Sequence, residues 1–167
     1  MEFRQADLSE LQQILALIQQ AKVFLRECGV DQWQDGYPDQ AAILGDINSG
    51  TGYVLTEDGA IIGYCCISFA REPAYDDIAG AWRSTGPCAV LHRMAIDDRC
   101  KGKGLATVLF GHAEALCRDR HIQSIKVDTD GANTRMQHIL AKNGFTLCGV
   151  VQFQNSDKLA FEKLLDA

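Results

Sequence analysis

The spacing of apolar residues changes along the chain, and each spacing predicts a kind of secondary structure. Alternation over residues 1–5 predicts a first strand. Asp7 then stands three residues before Glu10, which is the spacing of a helix-capping box, and apolar residues follow at helical intervals. We expect this first helix to end near Gly29 and a second one to run from Pro38 to just before Gly50 or Gly52.

Beyond residue 50 the pattern predicts two strands, a long connection, and then alternating strands and helices. The predicted strands are 53–56, 60–70, 88–96, 122–129, 145–153 and 159–164, and the predicted helices begin near 105 and at 132. The connection 71–87 is longer than most loops in compact domains, so it is a candidate lid or binding wall, with a decorated surface loop as the alternative. The predicted order is β, α, α, β, β, β, α, β, α, β, β.

Length and composition fit one globular domain. The chain has 167 residues, of which 47% are apolar and 23% charged, and we expect residues 1–167 to form a single domain. Apolar runs stay well below the roughly 18 residues that a membrane span needs, and residues 1–5 do not resemble a signal peptide, so a cytoplasmic protein without a membrane partner is expected. Seven cysteines without a C-x-x-C pair predict reduced thiols and no metal site.

Charge is distributed unevenly between the two halves of the sequence. Residues 1–87 carry a net charge of −8 and residues 88–167 a net charge of +2, which together give the overall −6. A cationic second half suits a phosphate-bearing ligand, although solvated helix faces produce similar imbalances. Nucleic-acid binding is not expected, because it needs a basic surface.

A glycine-rich basic segment leads from a predicted strand directly into a predicted helix. It reads IDDRCKGKGLA from Ile96 to Ala106. Glycines let backbone N–H groups converge, and a helix N-terminus adds unpaired donors and partial positive charge, so the segment suits phosphate oxygens. A Walker loop is disfavoured because Lys103 is followed by Gly104, and a dinucleotide fingerprint would require glycine in place of Thr107.

This segment resembles the pyrophosphate loop of the GCN5-related N-acetyltransferases (GNAT), which reads Q/R-x-x-G-x-G/A. Lys101, Gly104 and Ala106 fit that formula, with lysine as a mild departure, and a register starting at Arg99 also satisfies it. A second signature of the family, N-x-x-A/M-x-x-x-Y/L-x-K-x-G-F, matches the stretch from Asn133 to Phe145.

The resemblance implies an α/β (α+β) GNAT fold, with a mixed, mostly antiparallel sheet of six to seven strands flanked by four helices. It also implies acetyl-CoA as cofactor, no metal, and direct transfer of acetyl to a primary amine in a ternary complex. The acceptor would be a small molecule or a peptide, and homodimerisation stays open. The cofactor-binding residues that it implies are Met94, Ala95, Ile96, Lys101, Gly102, Lys103, Gly104, Leu105, Ala106, Asn133 and Lys142.

Two alternative functions stay open at this point. One is a non-catalytic acetyl-CoA-binding or sensor module, which is permitted because Leu140 occupies the position where the family frequently has a tyrosine acid. The other is a peptide N-terminal or lysine acetyltransferase instead of a small-amine enzyme.

His92 is the first candidate for the base that deprotonates the acceptor. It lies four residues before Ile96 in the strand expected to meet the thioester, and an ordinary imidazole pKa of about 6.5 suits a base at neutral pH. Serotonin-type members of the family carry a histidine at the corresponding position. The competing interpretation is a core histidine that shares a strand face with Val90, Met94 and Ile96.

Asp128 is the second catalytic candidate. It stands five residues before Asn133, where ribosomal-protein N-terminal acetyltransferases carry a carboxylate assigned as base. The competing interpretation is an ordinary solvated strand face shared with Lys126 and Asp130. If Asp128 lines the cleft, it could orient His92 or the substrate ammonium.

Aromatic residues in the two long connections are candidates for the acceptor site. They are Trp33, Tyr37 and Trp82, and the neighbouring carboxylates of Asp31, Asp35 and Glu72 could attract a cationic substrate. The competing interpretation is that the large aromatic side chains cover edges of the core.

Overall fold

A computed structural model describes residues 1–153 and 155–166, and their secondary structure comprises four α-helices and eight β-strands. The helices are α1 (Leu11–Glu27), α2 (Gln40–Asn48), α3 (Leu105–Asp119) and α4 (Thr134–Lys142). The strands are β1 (Glu2–Gln5), β2 (Gly52–Glu57), β3 (Ala60–Ser68), β4 (Ala79–Gly80), β5 (Ala89–Ile96), β6 (Ser124–Asp130), β7 (Thr146–Phe153) and β8 (Ser156–Leu164).

The strands follow the order β1-β2-β3-β5-β6-β8-β7-β4 in a mixed sheet. Pairing is antiparallel for β1 with β2, β2 with β3, β6 with β8, β8 with β7 and β7 with β4. Strand β5 pairs with β6 in parallel, through Ala89 with Ile125 and Val90 with Lys126. The expected mixed, mostly antiparallel sheet with four helices is confirmed.

The strand count differs from expectation because the connection 71–87 contains a short strand, β4. Its two residues pair with β7, Ala79 with Val150 and Gly80 with Gly149. Both glycines have positive φ, +133° and +156°, and a Cβ on either would collide with the backbone of the other strand. Two residues are too few to show alternation, so the hydrophobic pattern could not predict this strand.

The capping predictions hold at the first helix and fail at the second. The Asp7–Glu10 capping box is present and opens a 3-10 turn, Leu8–Glu10, that leads into α1. Helix α2 begins at Gln40, and the Asp39 side chain caps it by accepting a hydrogen bond from the Ala42 N–H. Pro38 therefore precedes the cap and is not the first helical residue.

Two compact units divide the chain, and each has its own core. The first comprises Met1–Ile67 and Arg93–Leu109. Its buried cluster joins helices α1 and α2 to strands β2 and β3 and to Ala95 of β5. The buried members are Ile14, Leu17, Ile18, Ile43, Val54, Ile61, Tyr64 and Ala95. The apolar stripe of α1 thus supplies the main contact of this core.

The second unit comprises Ser68–His92 and Phe110–Ala167. Strand β8 lies between β6 and β7 in this unit, with seven paired residues on each side. The rings of Phe110 and Phe145 pack with centroids 5.1 Å apart. Tyr75 belongs to a second cluster with Val90 and Val151, so the connection 71–87 contributes to the core of this unit.

Across residues 1–153 and 155–166, no helix combines the length and the apolar character that a bilayer crossing needs.

Candidate functional site

The glycine-rich segment begins with an anchored carboxylate immediately after β5. The Asp97 N–H donates to the Ile62 carbonyl at 2.9 Å, and the buried Asp97 side chain accepts from the Arg99 N–H at 2.9 Å and from the Arg99 guanidinium. These bonds from Arg99 lower the pKa of Asp97. Asp97 also caps a 3-10 turn, Asp98–Cys100. The start of the segment is therefore fixed to β3 by its backbone.

The two lysines of the segment differ in how they are held. The Lys101 ammonium lies 2.5 Å from Asp98 and 3.6 Å from the centroid of the Phe24 ring of α1. Lys103 is exposed. Arg99, the start of the other register, has a side chain that is 78% exposed and paired with Asp97. Lys101 and Arg99 are thus both paired with aspartates of the segment, and the register that starts at Lys101 stays a prediction.

Two glycines give the segment its shape. Gly102 and Gly104 have φ of +81° and +75°, a region that other residues adopt at a cost, and a Cβ on either would meet no atom within 4 Å. Helix α3 starts directly after them at Leu105, whose side chain is buried. The first N–H groups of a helix lack carbonyl partners within it. This exposed turn can therefore bind an anion such as a diphosphate.

Strand β5 changes conformation at Arg93, which has a φ of +54°. The Arg93 guanidinium donates to both carboxylate oxygens of Asp46, at 2.8 and 2.6 Å, and also contacts the Tyr37 hydroxyl. Tyr64, fully buried, donates its hydroxyl proton to Asp46 at 2.6 Å. In a regular strand, side chains alternate between the two faces of the sheet, and a left-handed residue interrupts this alternation. His92 and Met94, on either side of Arg93, therefore do not share one strand face in the way the sequence pattern predicts.

Residues 94–96, expected at the pantetheine, lie beyond that interruption. Ala95 is buried in the core of the first unit, and Met94 and Ile96 are half-buried. Two of the expected acceptor residues are also in this unit. Trp33 packs against the core, as its competing interpretation states, and the Tyr37 hydroxyl meets Arg93.

His92 lies at the end of the second unit's share of β5, beside a carboxylate. Its Nε2 is 3.7 Å from Oε2 of Glu72, and its side chain is 10% exposed. Its ring stacks on that of Phe153, with centroids 5.7 Å apart and planes 18° apart. The sequence pattern indicates Glu72 only as an attractor for a cation and not as a neighbour of His92, because the two residues are 20 positions apart.

Asp128 accepts a hydrogen bond of 2.6 Å from the Tyr75 hydroxyl. Burial raises the pKa of Asp128, an effect that this hydrogen bond and Lys158 oppose. Burial and the neighbouring Asp128 carboxylate raise the pKa of Tyr75 well above its ordinary value. Strand β6 thus presents a carboxyl group that is held in place and poorly solvated.

The competing interpretation of Asp128, that it lies on a solvated strand face with Lys126 and Asp130, is wrong. Lys126 is 7% exposed, and its ammonium lies 4.5 Å from the centroid of the Trp82 ring. Asp130 pairs with the Lys158 ammonium at 3.4 Å. Both neighbours of Asp128 on β6 are therefore engaged by other side chains of the second unit.

The connection 71–87 is tied down by buried polar contacts. Glu162 of β8 is fully buried and accepts hydrogen bonds from the Arg83 N–H at 2.6 Å and from the Ser84 and Ser124 hydroxyls at 2.5 and 2.6 Å. The Trp82 indole N–H donates to the Tyr75 carbonyl at 2.9 Å. These bonds anchor the connection to the second unit, and its role as a lid or binding wall stays a prediction.

The second family signature lies at the start and end of α4. The Asn133 side chain caps this helix by accepting from the Met136 N–H at 3.1 Å. Leu140 is fully buried, and Lys142 is exposed in the last turn. The capping contact gives Asn133 a structural role in the helix.

Within the part of the chain that the structure describes, no three histidine, cysteine, aspartate or glutamate side chains form a group that could hold an ion.

Comparisons with known proteins agree on one family. The family model described as "Acetyltransferase (GNAT) family" matches residues 16–145. A crystal structure of a GNAT-family acetyltransferase from Streptococcus agalactiae 2603 is 34% identical, with a TM-score of 0.90, and the match covers 99% of this chain and 96% of that chain. A sequence search of curated proteins found no match.

More distant structures share the fold. A GNAT-family acetyltransferase from Listeria monocytogenes 4b F2365 is 22% identical, with a TM-score of 0.78 and coverage of 98% of this chain and 94% of that chain. A ribosomal-protein-alanine N-acetyltransferase from Brucella melitensis is 17% identical, with a TM-score of 0.68 and coverage of 99% and 100%.

Proposed function

The chain belongs to the acetyltransferase (GNAT) family, and from that premise we propose that it transfers acetyl from acetyl-CoA to a primary amine by direct attack in a ternary complex. Acetyl transfer is the general reaction of the family, and its members act on amine acceptors. The acceptor proposed for this chain is a small molecule or a peptide amine. No metal takes part in the proposed reaction.

The observation that carries the proposal is the turn between β5 and α3. Gly102 and Gly104 hold left-handed conformations, the positions of their absent Cβ atoms are open, and α3 starts at the next residue. Lys101 adds a positive charge beside this turn. We propose that residues 101–106 bind the pyrophosphate of the cofactor and that the backbone of residues 94–96 binds its pantetheine. Asn133 and Lys142 are proposed further contacts of the cofactor.

His92 is the proposed base. An ammonium is not nucleophilic, so the acceptor must first lose a proton to a nearby group. The imidazole would accept that proton, and the free amine would attack the acetyl carbonyl carbon. As the C–S bond breaks, the attacking nitrogen would lose a second proton, which would neutralise the departing thiolate, so that the amide and the CoA thiol are released. His92 lies on β5, the strand that leads into the proposed cofactor turn, and the Glu72 carboxylate 3.7 Å from its Nε2 supports this role.

Asp128 is proposed as the acidic group that attracts the acceptor. Its carboxyl group is held by Tyr75, and a bound ammonium would favour its ionised form against the effect of burial. Trp33, Tyr37 and Trp82 are proposed as residues on the acceptor side. In the structure each of them also has a packing or hydrogen-bonding contact within its own unit.

Two properties of the whole chain are proposed with the reaction. One is that residues 1–167 act as a single acetyltransferase-like domain, which the coverage of 99% against the Streptococcus agalactiae structure supports. The other is a cytoplasmic location. All seven cysteines are free, which is the usual state of thiols in a reducing compartment.

Substitution of one glycine tests the cofactor loop. Gly104→Val places a side chain in the open space where we propose the pyrophosphate, so isothermal titration should show loss of CoA binding. Gly59→Val is the matched control, because Gly59 has a φ of +78° and also has no atom near its Cβ position. Each variant should lose about 1–2 kcal/mol of stability from backbone strain. Equal CoA affinity in both variants would contradict the loop assignment.

A turnover assay tests the reaction itself. The protein is incubated with acetyl-CoA and a panel of small amines, peptide N-termini and lysine peptides, and thiol release is recorded. Release with at least one amine, lost in His92→Ala at neutral pH, supports the proposal. Tight acetyl-CoA binding without release on any acceptor would favour the non-catalytic sensor. An unchanged rate in His92→Ala would remove the base assignment and leave the cofactor site standing.

A further inference from the structure

One carboxylate in the connection 71–87 makes two different contacts with its two oxygens. Oε1 of Glu72 accepts a hydrogen bond of 3.2 Å from the Ala74 N–H, which caps the 3-10 turn Pro73–Tyr75. Oε2 lies 3.7 Å from Nε2 of His92. The Glu72 side chain is 23% exposed and the His92 side chain 10%, so water screens this pair only in part.

The turn that carries Glu72 is fixed by the residues that follow it. Pro73 occupies the first turn position, and Tyr75 is 5% exposed, with its hydroxyl bonded to Asp128 at 2.6 Å. The Tyr75 carbonyl accepts from the Trp82 indole. Because both ends of Tyr75 are bonded, Glu72 is held at a defined position beside His92.

We propose that Glu72 is a positioning residue for His92: it holds the imidazole in one orientation and stabilises the imidazolium that forms when the acceptor ammonium gives up its proton. The catalytic part of this inference rests on the proposed function, in which His92 is the base. The proton moves from the acceptor nitrogen to the imidazole, and Glu72 stays ionised throughout. A carboxylate facing Nε2 also favours the neutral tautomer whose proton lies on Nε2.

Other ionisable groups surround the pair. The Glu72 carboxylate opposes ionisation of Asp128 and of Tyr75, and Lys158 acts on Asp128 in the opposite sense. Next to His92 on β5, the charge of Arg93 is paired with Asp46. The ring of Phe153 covers His92 from β7 and carries no charge. Removal of the Glu72 carboxylate, 3.7 Å from Nε2, should therefore change the protonation of His92 directly.

Nuclear magnetic resonance of the free protein tests the pairing without any substrate. The sequence has four histidines, so the imidazole signals of His92 are assigned by comparison with His92→Gln. In Glu72→Gln, which keeps an oxygen to cap the turn, the pKa of His92 should fall by about one. Asp77→Asn removes the same charge from an exposed position of the same connection and should leave that pKa unchanged. An unchanged pKa in Glu72→Gln overturns the inference.

Kinetics separate this inference from the proposed function. In Glu72→Gln the acid limb of kcat/KM should move to lower pH by about one unit, with the affinity for acetyl-CoA unchanged, and Glu72→Asp should restore part of the rate. If the pKa of His92 falls while His92→Gln keeps full activity, His92 is not the base, and the effect of Glu72 on His92 stands. If His92→Gln is inactive while Glu72→Gln keeps the wild-type pH profile, the base assignment stands and the role of Glu72 is refuted.

Discussion

Loss of the Arg93 charge should destabilise the protein strongly, because Arg93 neutralises a buried carboxylate. The Asp46 side chain is 7% exposed, and that of Arg93 is 13% exposed. Asp46 accepts hydrogen bonds of 2.8 and 2.6 Å from Arg93 and one of 2.6 Å from Tyr64. Arg93→Met removes two of these three donors and leaves an uncompensated charge, which costs about 3–5 kcal/mol. The φ of +54° strains methionine and arginine alike.

Urea unfolding, followed by circular dichroism, measures this loss. With a slope of about 2 kcal/mol/M, the midpoint should fall by about 2 M. Arg118→Met is the matched control, because Arg118 makes a 3.3 Å pair with Glu114 and its side chain is 56% exposed. An exposed helix pair contributes about 0.3–0.5 kcal/mol. Equal losses in the two variants would show that the buried charge of Asp46 does not cause the destabilisation.

A variant that replaces both members of the ion pair tests whether charge burial causes the loss of stability in Arg93→Met. Replacement of a whole buried ion pair by apolar residues is often neutral, whereas removal of one partner is costly. Arg93→Met with Asp46→Leu should therefore recover most of the stability, provided that Tyr64→Phe removes the hydroxyl that would lose its acceptor. Additive losses across the three substitutions would show that charge burial is not the source of the effect.

Two further carboxylates give predictions of opposite sign. Glu162→Gln weakens the three hydrogen bonds that the buried Glu162 carboxylate accepts, and it should lower the free energy of unfolding in urea by about 2 kcal/mol. The control Glu57→Gln, at an exposed position, should lower it by less than about 0.5 kcal/mol. Similar losses in the two variants would contradict the role of Glu162. Burial raises the pKa of Asp128 above its ordinary 3.8, so wild type should lose stability as the pH rises from that value through the folded-state pKa. Asp128→Asn keeps an oxygen for Tyr75 and lacks this loss, so its stability relative to wild type should grow between pH 4 and pH 7; a constant difference would contradict the assignment.

Hydrophobic periodicity predicted most of the fold, because the longer elements show enough repeats to be recognised. The four helices and the seven longer strands occur in the predicted order. Strand β4 has two residues, and its pairing depends on the close approach of Gly80 and Gly149. The left-handed conformation of Arg93 could not be predicted either. Its side chain contacts Asp46 and Tyr37, which are 47 and 56 residues away in the sequence.

The sequence predicted those parts of the candidate site that are formed by residues close together along the chain. The turn at Gly102 and Gly104 and the start of α3 follow from one continuous segment, and the structure shows the conformation that such a segment needs. The hydrogen bond between Tyr75 and Asp128 joins residues 53 positions apart. The spacing of residues in the sequence predicts neither this hydrogen bond nor the Glu72–His92 pair, because both depend on strand pairing and on the path of the connection 71–87.

The proposed function depends most on the binding of the CoA pyrophosphate by backbone amides of the turn before α3. Titration of ¹⁵N-labelled protein with CoA, followed through backbone amide resonances, tests it most directly. The largest shifts should fall on the amides of Gly102 and of residues 104–106, and 3′-dephospho-CoA, which keeps the pyrophosphate, should shift the same amides. Saturable binding whose shifts leave residues 101–106 unchanged would contradict it.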